Sequence, residues 1–313
     1  KLEDYFVFSS AVEKEQLQVG VRDDVEEDVN KKNKNDFVLW FTQSKFEDQA
    51  LKWDSPWGVG YPGWHIECSC ISMKHLGEYV DIHCGGVDNI FPHHTNEIAQ
   101  SESYLGHDWC KYWFHVNHLN DRAGKMSKSK GNVVSPEEMI AEYGADAVRA
   151  YILFMAPPDK ERQWNEDGLA GMHKFLNRVW RMVYDLVGKA DEDTLYQPGA
   201  SDAEAAAARK VLLRERHRVV GKVVDDFDRN NFNTAIAAIM ELVNAIGDYL
   251  RKVGPEQRAA SADEQALATE VANVLVRLLA PICPHMTDEL WHDALGCEGS
   301  IHTQEWPECD HEK

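Results

Sequence analysis

Apolar residues recur every three or four positions through most of the second half of the chain, a spacing that predicts amphipathic helices. Phe175, Leu176, Val179 and Trp180 follow this spacing soon after Gly168. The same spacing continues through residues 203–227, 234–253, 262–279 and, after two prolines, 286–294. Long helices joined by short connections predict a helical bundle.

The stretch between residues 64 and 132 has a different pattern, in which short apolar runs alternate with helical segments. Residues 66–76 suit a helix ending at Gly77, residues 92–105 suit a second helix, and residues 79–83 and 112–119 suit strands. This alternation predicts a parallel sheet with ligands at its carboxyl edge. The expected fold class is therefore α/β, with a partial Rossmann-type domain followed by an all-α helical bundle.

Ser135-Pro-Glu-Glu138 predicts a strong helix start between these two regions, since it combines an N-cap residue, a proline at the first position and two acids. Gly144 is expected to end this helix, and residues 147–155 are expected to form the next one. Residues 23–34 are a charge block with little to bury, which favours a surface loop.

Composition narrows the class of protein. The seven cysteines are an odd number in a chain of 313 residues, which fits a reducing cytoplasm better than a disulfide framework. The sequence contains no apolar run of membrane-spanning length and opens with no signal-peptide pattern, so neither a membrane span nor secretion is expected. A net charge of -20 argues against general nucleic-acid binding. Local basic clusters remain possible contacts, at residues 122–130, at Arg178 with Arg181, and at residues 209–222.

Cys68, His93 and Glu97 are candidate metal ligands. His93 and Glu97 are four residues apart on a predicted helix and therefore share one face. Cys68 lies on a short apolar segment, where we expect a strand end. A thiolate, an imidazole and a carboxylate are a plausible zinc set that leaves one position open. The spacing is equally compatible with a core thiol and histidines at a helix start.

Lys125-Met-Ser-Lys-Ser129 is the second candidate site. Two lysines and two serines followed by Gly131 can surround phosphate with charges and hydroxyl groups. On composition alone, a solvated basic surface explains the run as well.

These motifs resemble a known family. Lys125-Met-Ser-Lys-Ser129 is similar to the second signature of class I aminoacyl-tRNA synthetases. Three further segments resemble cysteinyl-tRNA synthetases in particular: Gly63-Trp-His-Ile-Glu-Cys-Ser69, Asp81-Ile-His-Cys-Gly-Gly-Val-Asp88 and Phe91-Pro-His-His-Thr-Asn-Glu-Ile98. This resemblance covers roughly residues 1 to 132.

The resemblance implies a set of roles. It implies that Cys68, His93 and Glu97 bind Zn²⁺, which accepts the thiolate of the substrate cysteine. Trp64 and His83 would line the amino-acid pocket, and the implied ATP and Mg²⁺ site comprises Gly85, Gly86, Asp88, Lys125, Ser127, Lys128 and Ser129. Gly85, Gly86 and Asp88 are expected in a turn that accommodates the adenylate, and Lys128 is expected to meet the ATP phosphates.

Two features of the cysteinyl family are missing from this sequence. The family's fourth zinc ligand is a cysteine near a first signature, His-x-Gly-His, and neither is present. Leu105-Gly-His107 and His75-Leu-Gly77 echo that signature in the wrong context. Cys70 or Cys84 could replace the fourth ligand. The expectation is therefore a C-terminal portion or one piece of a split enzyme, with an N-terminal half elsewhere and weak activity alone.

The second region resembles leucyl-tRNA synthetases instead. The phrases that carry this resemblance include Tyr143-Gly-Ala-Asp-Ala-Val-Arg149, Phe175-Leu-Asn-Arg-Val-Trp180, Asn231-Phe-Asn-Thr-Ala235 and Leu279-Ala-Pro-Ile-Cys-Pro-His285. Together the resemblances divide the chain into a remnant of a connective insertion (1–56), half of a catalytic domain (57–132), a stem-contact region (133–168) and an anticodon-binding bundle (169–313).

The expected function is the ATP-dependent attachment of cysteine to tRNA through cysteinyl-adenylate. Three alternatives stay open: a piece of a leucine–tRNA ligase, a non-catalytic tRNA-binding module, and a related cysteine ligase that uses a small-molecule acceptor.

Overall fold

A computed structural model describes residues 8, 31–33, 35–43, 51–121, 124–126, 133–190 and 200–309. The chain divides into two compact units, one ending at Asn117 and the other beginning at His118. The predicted charge-block loop lies almost entirely outside the described residues. The predicted division into four regions stays a prediction.

The first unit contains a βαβ arrangement. Its regular elements are β1 (Trp40–Phe41), β2 (Tyr61–Pro62), α1 (Trp64–Leu76), β3 (Val80–Gly86), α2 (Thr95–Leu105) and β4 (Cys110–Val116). Strands β1 and β2 pair antiparallel, whereas β3 and β4 pair parallel with Val80 opposite Cys110 and Gly86 opposite Val116. Because α2 connects two parallel strands, this part of the α/β prediction is confirmed.

Helix α1 ends where the sequence predicted, because Gly77 adopts a φ of +87°, which residues with a side chain rarely adopt. Cys68 lies within this helix. The expectation that Cys68 ends a strand was therefore wrong, whereas the helix predicted over residues 66–76 is confirmed; a short apolar run does not distinguish the two.

Gly85 and Gly86 also differ from expectation. Both residues belong to β3, and the turn follows them as a 3₁₀ segment at Val87–Asn89. A Cβ atom at Gly85 would lie 2.5 Å from the His94 ring and 2.9 Å from the Asn89 side chain. Gly85 thus permits close approach of side chains to the strand rather than a tight turn.

A segment of π-helical hydrogen bonding at Ile90–His94 precedes α2, so the regular helix begins at Thr95 rather than at Pro92. The core beneath these elements is small. Within the described residues, its buried apolar cluster consists of Val80, Trp109 and Cys110.

The second unit is dominated by helices. It contains β5 (Leu119–Asp121), β6 (Gly124–Lys125), β7 (Arg162–Gln163), α3 (Pro136–Tyr143), α4 (Ala145–Met155), α5 (Glu166–Leu186), α6 (Asp202–Asp228), α7 (Phe232–Lys252), α8 (Pro255–Ala260), α9 (Ala262–Leu279) and α10 (Pro284–Glu289). Strand β5 pairs with β6 antiparallel and with β7 parallel. The predicted helical bundle is confirmed, and α8 is an addition that the sequence pattern did not indicate.

Side-chain caps explain where the long helices begin. The hydroxyl group of Ser135 accepts a hydrogen bond from the backbone N–H of Glu138, and Pro136 follows it as predicted. Ser201 and Glu204 form a reciprocal capping box at the start of α6. Between the helices lies one large apolar cluster of buried side chains, among them Leu169, Val179, Leu212, Val243 and Leu275.

Candidate metal and substrate site

Glu97 is the central residue of a buried polar cluster in the first unit. It lies in the first turn of α2 and is fully buried. Its carboxylate oxygens lie 2.8 Å from His93 Nε2 and 3.0 Å from His83 Nε2. Each oxygen thus contacts one imidazole nitrogen, and no lysine or arginine among the described residues pairs with this buried carboxylate. A buried carboxylate in this state is costly unless a cation compensates it.

The charge of Glu97 is set by opposing effects. Burial raises the pKa of the Glu97 carboxyl group, but the two imidazoles of His83 and His93 outweigh burial and hold that pKa at about 2. Glu97 is therefore ionised at neutral pH and can act as a hard anionic ligand.

Cys68 completes a group of three possible metal ligands. One ligand atom each from Cys68, His93 and Glu97 lie within 4.8 Å of one another. Burial, together with the charges of Glu97 and Glu67, raises the pKa of the Cys68 thiol to about 11. A bound divalent cation would reverse this effect by favouring the thiolate. The mixed sulfur, nitrogen and oxygen donors, together with the buried and ionised carboxylate, fit Zn²⁺.

A second group, which the sequence did not predict, shares the same carboxylate. His83, His94 and Glu97 also bring one ligand atom each within 4.8 Å. The Nδ1 atom of His94, however, lies 2.8 Å from His115 Nε2 in a hydrogen bond. Burial lowers the pKa of His94 to about 4, so its ring is neutral. The available signals were the His93-His94 pair and His83, but spacing alone could not show that both helix and strand face Glu97.

The two predicted pocket residues contact this cluster. Trp64 begins α1 and is 61% exposed, and its ring centroid lies 4.1 Å from that of His93. His83 contacts Glu97, as described above. Gly85 and Gly86 form the carboxyl end of β3, and Asp88 lies in the following 3₁₀ segment. Cys70 and Cys84 are exposed and join neither ligand group in the part of the chain that the structure describes.

The structure describes only part of the motif Lys125-Met-Ser-Lys-Ser129. The backbone of Lys125 pairs within β6, opposite Asn120. Ser127, Lys128 and Ser129 lie outside the described residues. Their roles remain predictions.

The densest predicted basic cluster is largely neutralised. Its arginines and lysines on α6 form ion pairs: Arg209 with Glu264, Arg216 with Glu270, Arg218 with Glu215 and Glu241, and Lys222 with Asp226. This surface therefore offers much less positive charge to nucleic acid than its sequence indicated.

Comparison with known families agrees with this geometry. Residues 1–170 match the family described as "tRNA synthetases class I (C) catalytic domain", and residues 209–313 match "Anticodon-binding domain of tRNA ligase". The first match covers more than half of the chain, and the chain belongs to the class I tRNA synthetases, in the family of that catalytic domain.

Among the described residues, no helix is long and apolar enough to cross a membrane.

Curated relatives extend the match to cysteine–tRNA ligases. The chain is 61% identical to that of Treponema denticola over 126 residues, which cover 40% of this chain and 25% of the relative. It is 38% identical to that of Thermococcus onnurineus over 257 residues (81% of this chain, 51% of the relative). It is 40% identical to that of Pyrococcus abyssi over 259 residues (81% of this chain, 50% of the relative).

The similarity to cysteine–tRNA ligases thus extends well beyond residue 132, where the sequence resemblance was expected to end. The chain spans between a quarter and about half of the length of these three relatives.

A solved structure supports the leucyl resemblance as well. The chain is similar to LeuRS of Agrobacterium radiobacter K84, solved in a ternary complex with tRNA and LeuAMS, with a TM-score of 0.60 and 26% identity. That similarity covers 83% of this chain and 35% of the LeuRS chain. The mixed cysteinyl and leucyl resemblance is therefore confirmed.

Proposed function

We propose that this chain forms part of a cysteine–tRNA ligase, in which Cys68, His93 and Glu97 hold a zinc ion that selects cysteine. The observation that carries the proposal is the convergence of these three ligand types within 4.8 Å around a fully buried carboxylate. The match to cysteine–tRNA ligases over four fifths of the chain supports the same substrate.

Zinc bound here would supply a soft Lewis acid that prefers the sulfur of cysteine to the hydroxyl oxygen of serine. The chain's own residues hold the ion and shape its surroundings. Trp64 and His83 contact the ligand cluster, so they are the side chains that we assign to the wall of the amino-acid pocket. Gly85, Gly86 and Asp88 follow at the carboxyl end of β3, where parallel sheets bind nucleotides.

The proposed reaction has two steps. Cysteine first reacts with ATP, which would carry Mg²⁺, to give cysteinyl-adenylate and pyrophosphate, and the cysteinyl group then passes to a hydroxyl group of tRNA with release of AMP. We assign Lys128 to the ATP phosphates, with Lys125, Ser127 and Ser129 beside it, because positive charge and hydroxyl groups stabilise the phosphate charge that is redistributed in the first step. This assignment rests on the sequence motif.

Metal analysis tests the proposal directly. Zinc content per chain is expected to fall from about one to near zero in Cys68→Ala, because a three-ligand protein site loses most of its affinity with its thiolate. Cys70→Ala is the matched control: it removes an exposed cysteine two positions along the same helix and should leave zinc content unchanged. Equal zinc content in both variants would contradict the proposed site.

ATP–pyrophosphate exchange tests which amino acid is the substrate. Exchange is expected to depend on cysteine and to be slow for these 313 residues, since the sequence contains no His-x-Gly-His. Leucine-dependent exchange would favour a leucine–tRNA ligase instead. Binding of tRNA without zinc or exchange would favour a non-catalytic module.

A further inference from the structure

A cleft of about 270 Å³ lies in the second unit, between α4, α5, α10 and the end of α3. One wall is formed by four residues of α5 at helical spacing: His173, Leu176, Asn177 and Trp180. Tyr143, His285 and Met286 contribute to the rest. Pockets for drug-sized ligands typically enclose about 300–1,000 Å³. This cleft therefore suits a single flat ring system rather than a complete nucleotide cofactor.

Some polar groups of the cleft already form hydrogen bonds within the protein, and others can bind a ligand. Nδ1 of His173 donates to the Tyr143 carbonyl at 2.9 Å, and Nδ1 of His285 donates to Asp146 Oδ1 at 2.8 Å. In the neutral ring of each histidine, Nε2 is then the acceptor. The side-chain amide of Asn177 is exposed and makes no hydrogen bond to a described residue. Acceptors, an amide and an indole ring are the groups that bind and stack nucleobases.

Positive charge lies next to this wall. Lys174, Arg178 and Arg181 occupy the neighbouring stripe of α5, and within the described residues none has a carboxylate within 4 Å. Arg178 donates hydrogen bonds to Asn244 Oδ1 and to the Val243 carbonyl of α7, so Lys174 and Arg181 are the two cations left beside the cleft. Arg181 Nε bonds to the Asn177 carbonyl at 3.4 Å, which places this arginine beside the cleft wall. This stripe contrasts with α6, where most of the corresponding charges are paired.

The spacing of these cations indicates the kind of ligand. Seven residues separate Lys174 from Arg181, which is about 10 Å along a helix. That length exceeds one phosphate group and suits a run of backbone phosphates. The hydroxyl group of Tyr143 lies among Glu142, Glu166 and Asp167, which together raise its pKa, with the hydrogen bond to Glu142 contributing most. Phosphates are therefore expected on the Arg181 side of the cleft.

We infer that this cleft receives one unstacked base of the bound tRNA, while Lys174 and Arg181 contact the phosphates beside it. The inference rests on the proposed function, since it assigns a surface to the tRNA that the function requires. Stacking on Trp180 and hydrogen bonds from Asn177 hold the base, and the cation stripe holds the strand.

The phosphate contacts are tested by titrating the full chain with a tRNA(Cys) transcript over a range of KCl concentrations. The double variant Lys174→Ala/Arg181→Ala is expected to bind about tenfold more weakly at low salt. Its plot of log affinity against log salt should be shallower by about 1.5, because each lost phosphate contact removes about 0.7–0.9. Arg214→Ala/Arg218→Ala removes the same charge from α6 and is the matched control, with a change of less than about twofold expected because both arginines are already paired with Glu215 or Glu241.

The base contacts are tested separately. Trp180→Leu keeps an apolar side chain but removes the stacking surface, and Asn177→Ala changes an exposed residue that does not support the core. Both are expected to weaken tRNA binding, Trp180→Leu by about tenfold, with an unchanged salt slope. Circular dichroism melting of each variant shows whether the fold is retained. Unchanged tRNA affinity in Asn177→Ala and in a folded Trp180→Leu would overturn base insertion.

Failure of the proposed function and failure of base insertion alone give different results. If the unaltered chain binds no tRNA at any salt concentration, the proposed function fails. If it binds tRNA but Lys174→Ala/Arg181→Ala behaves like the α6 control, this inference alone is overturned.

Discussion

Glu97 is shared by two possible metal-ligand groups, and the chemistry of the individual residues favours one of them. The group with Cys68 and His93 contains a thiol that must lose its proton before it can bind a metal ion. A bound cation promotes this deprotonation. The other group, His83, His94 and Glu97, contains no thiol, and thiolate is a preferred zinc ligand. Zinc at the first group also leaves Trp64 beside the ligand His93. We therefore expect the ion at Cys68, His93 and Glu97.

This assignment predicts different outcomes for two adjacent histidines. His93→Ala should lower zinc affinity by at least about 100-fold, because even partners outside the ligand shell typically contribute 10–100-fold. His94→Ala should lower zinc affinity by less than about tenfold. Isothermal titration with zinc measures both variants under the same conditions. The reverse order would place the ion at His83 and His94 instead.

Part of this ligand cluster could be predicted from the sequence. The pairing of His93 with Glu97 follows from helical spacing, and the 2.8 Å distance between their side chains agrees with it. Cys68 and His83 come from other elements, so their approach to Glu97 depends on how α1, β3 and α2 pack. Cys68 was a candidate from its residue type and was assigned to zinc by the family resemblance, which also supplied His83; the His93-His94 pair did not show that His94 approaches Glu97 as well.

At the scale of elements, helices were predicted better than strands because their ends carry local signals. Residues 262–279 were predicted as one helix, and α9 has the same bounds, with the side chain of Ser261 capping its first turn. Strand β7 pairs with β5, which lies far earlier in the sequence, so no local pattern fixes it, and β5 and β6 are too short to show an alternating pattern. Gly85 and Gly86 were misread as a turn because glycine also serves close packing.

Two glycines of α5 make a matched test of element packing. A Cβ atom at Gly168 would lie 2.7 Å from the ring of the buried Tyr151, whereas one at Gly171 would meet nothing within 4 Å. Gly168→Ala is expected to destabilise the second unit by about 1–3 kcal/mol through overpacking. Gly171→Ala is expected to stabilise it by about 0.5–1 kcal/mol, since alanine loses less backbone entropy in a helix.

Thermal unfolding followed at 222 nm measures both effects. For a domain of this size, each kcal/mol corresponds to a change in Tm of roughly 2–4 °C. The two variants should therefore move Tm in opposite directions. A gain in Tm for Gly168→Ala would mean that Tyr151 can move aside at little cost, contrary to its tight packing.

The whole molecule combines two units that are stabilised in different ways. The second unit contains the large apolar cluster of the helical bundle, whereas the buried apolar cluster of the first unit, within the described residues, comprises only Val80, Trp109 and Cys110. When the apolar core of a unit is small, its folded state depends on additional cross-links for stability. A bound metal ion is one such cross-link. A ligand present at about 1,000 times its Kd adds about 4 kcal/mol to the stability of the state that binds it.

Zinc removal should therefore affect the two units unequally, and hydrogen exchange can resolve this. After chelation, amide protection is expected to fall in α1, β3, α2 and β4, whose side chains form or support the ligand cluster. Protection in α5, α7 and α9 should not change, because their stability comes from apolar burial that the ion does not influence. Cys68→Ala without chelator should reproduce the same pattern, and Cys70→Ala should not. An equal loss of protection in both units would mean that the ion stabilises the chain as a whole, and unchanged protection everywhere would mean that the ligand cluster does not need it.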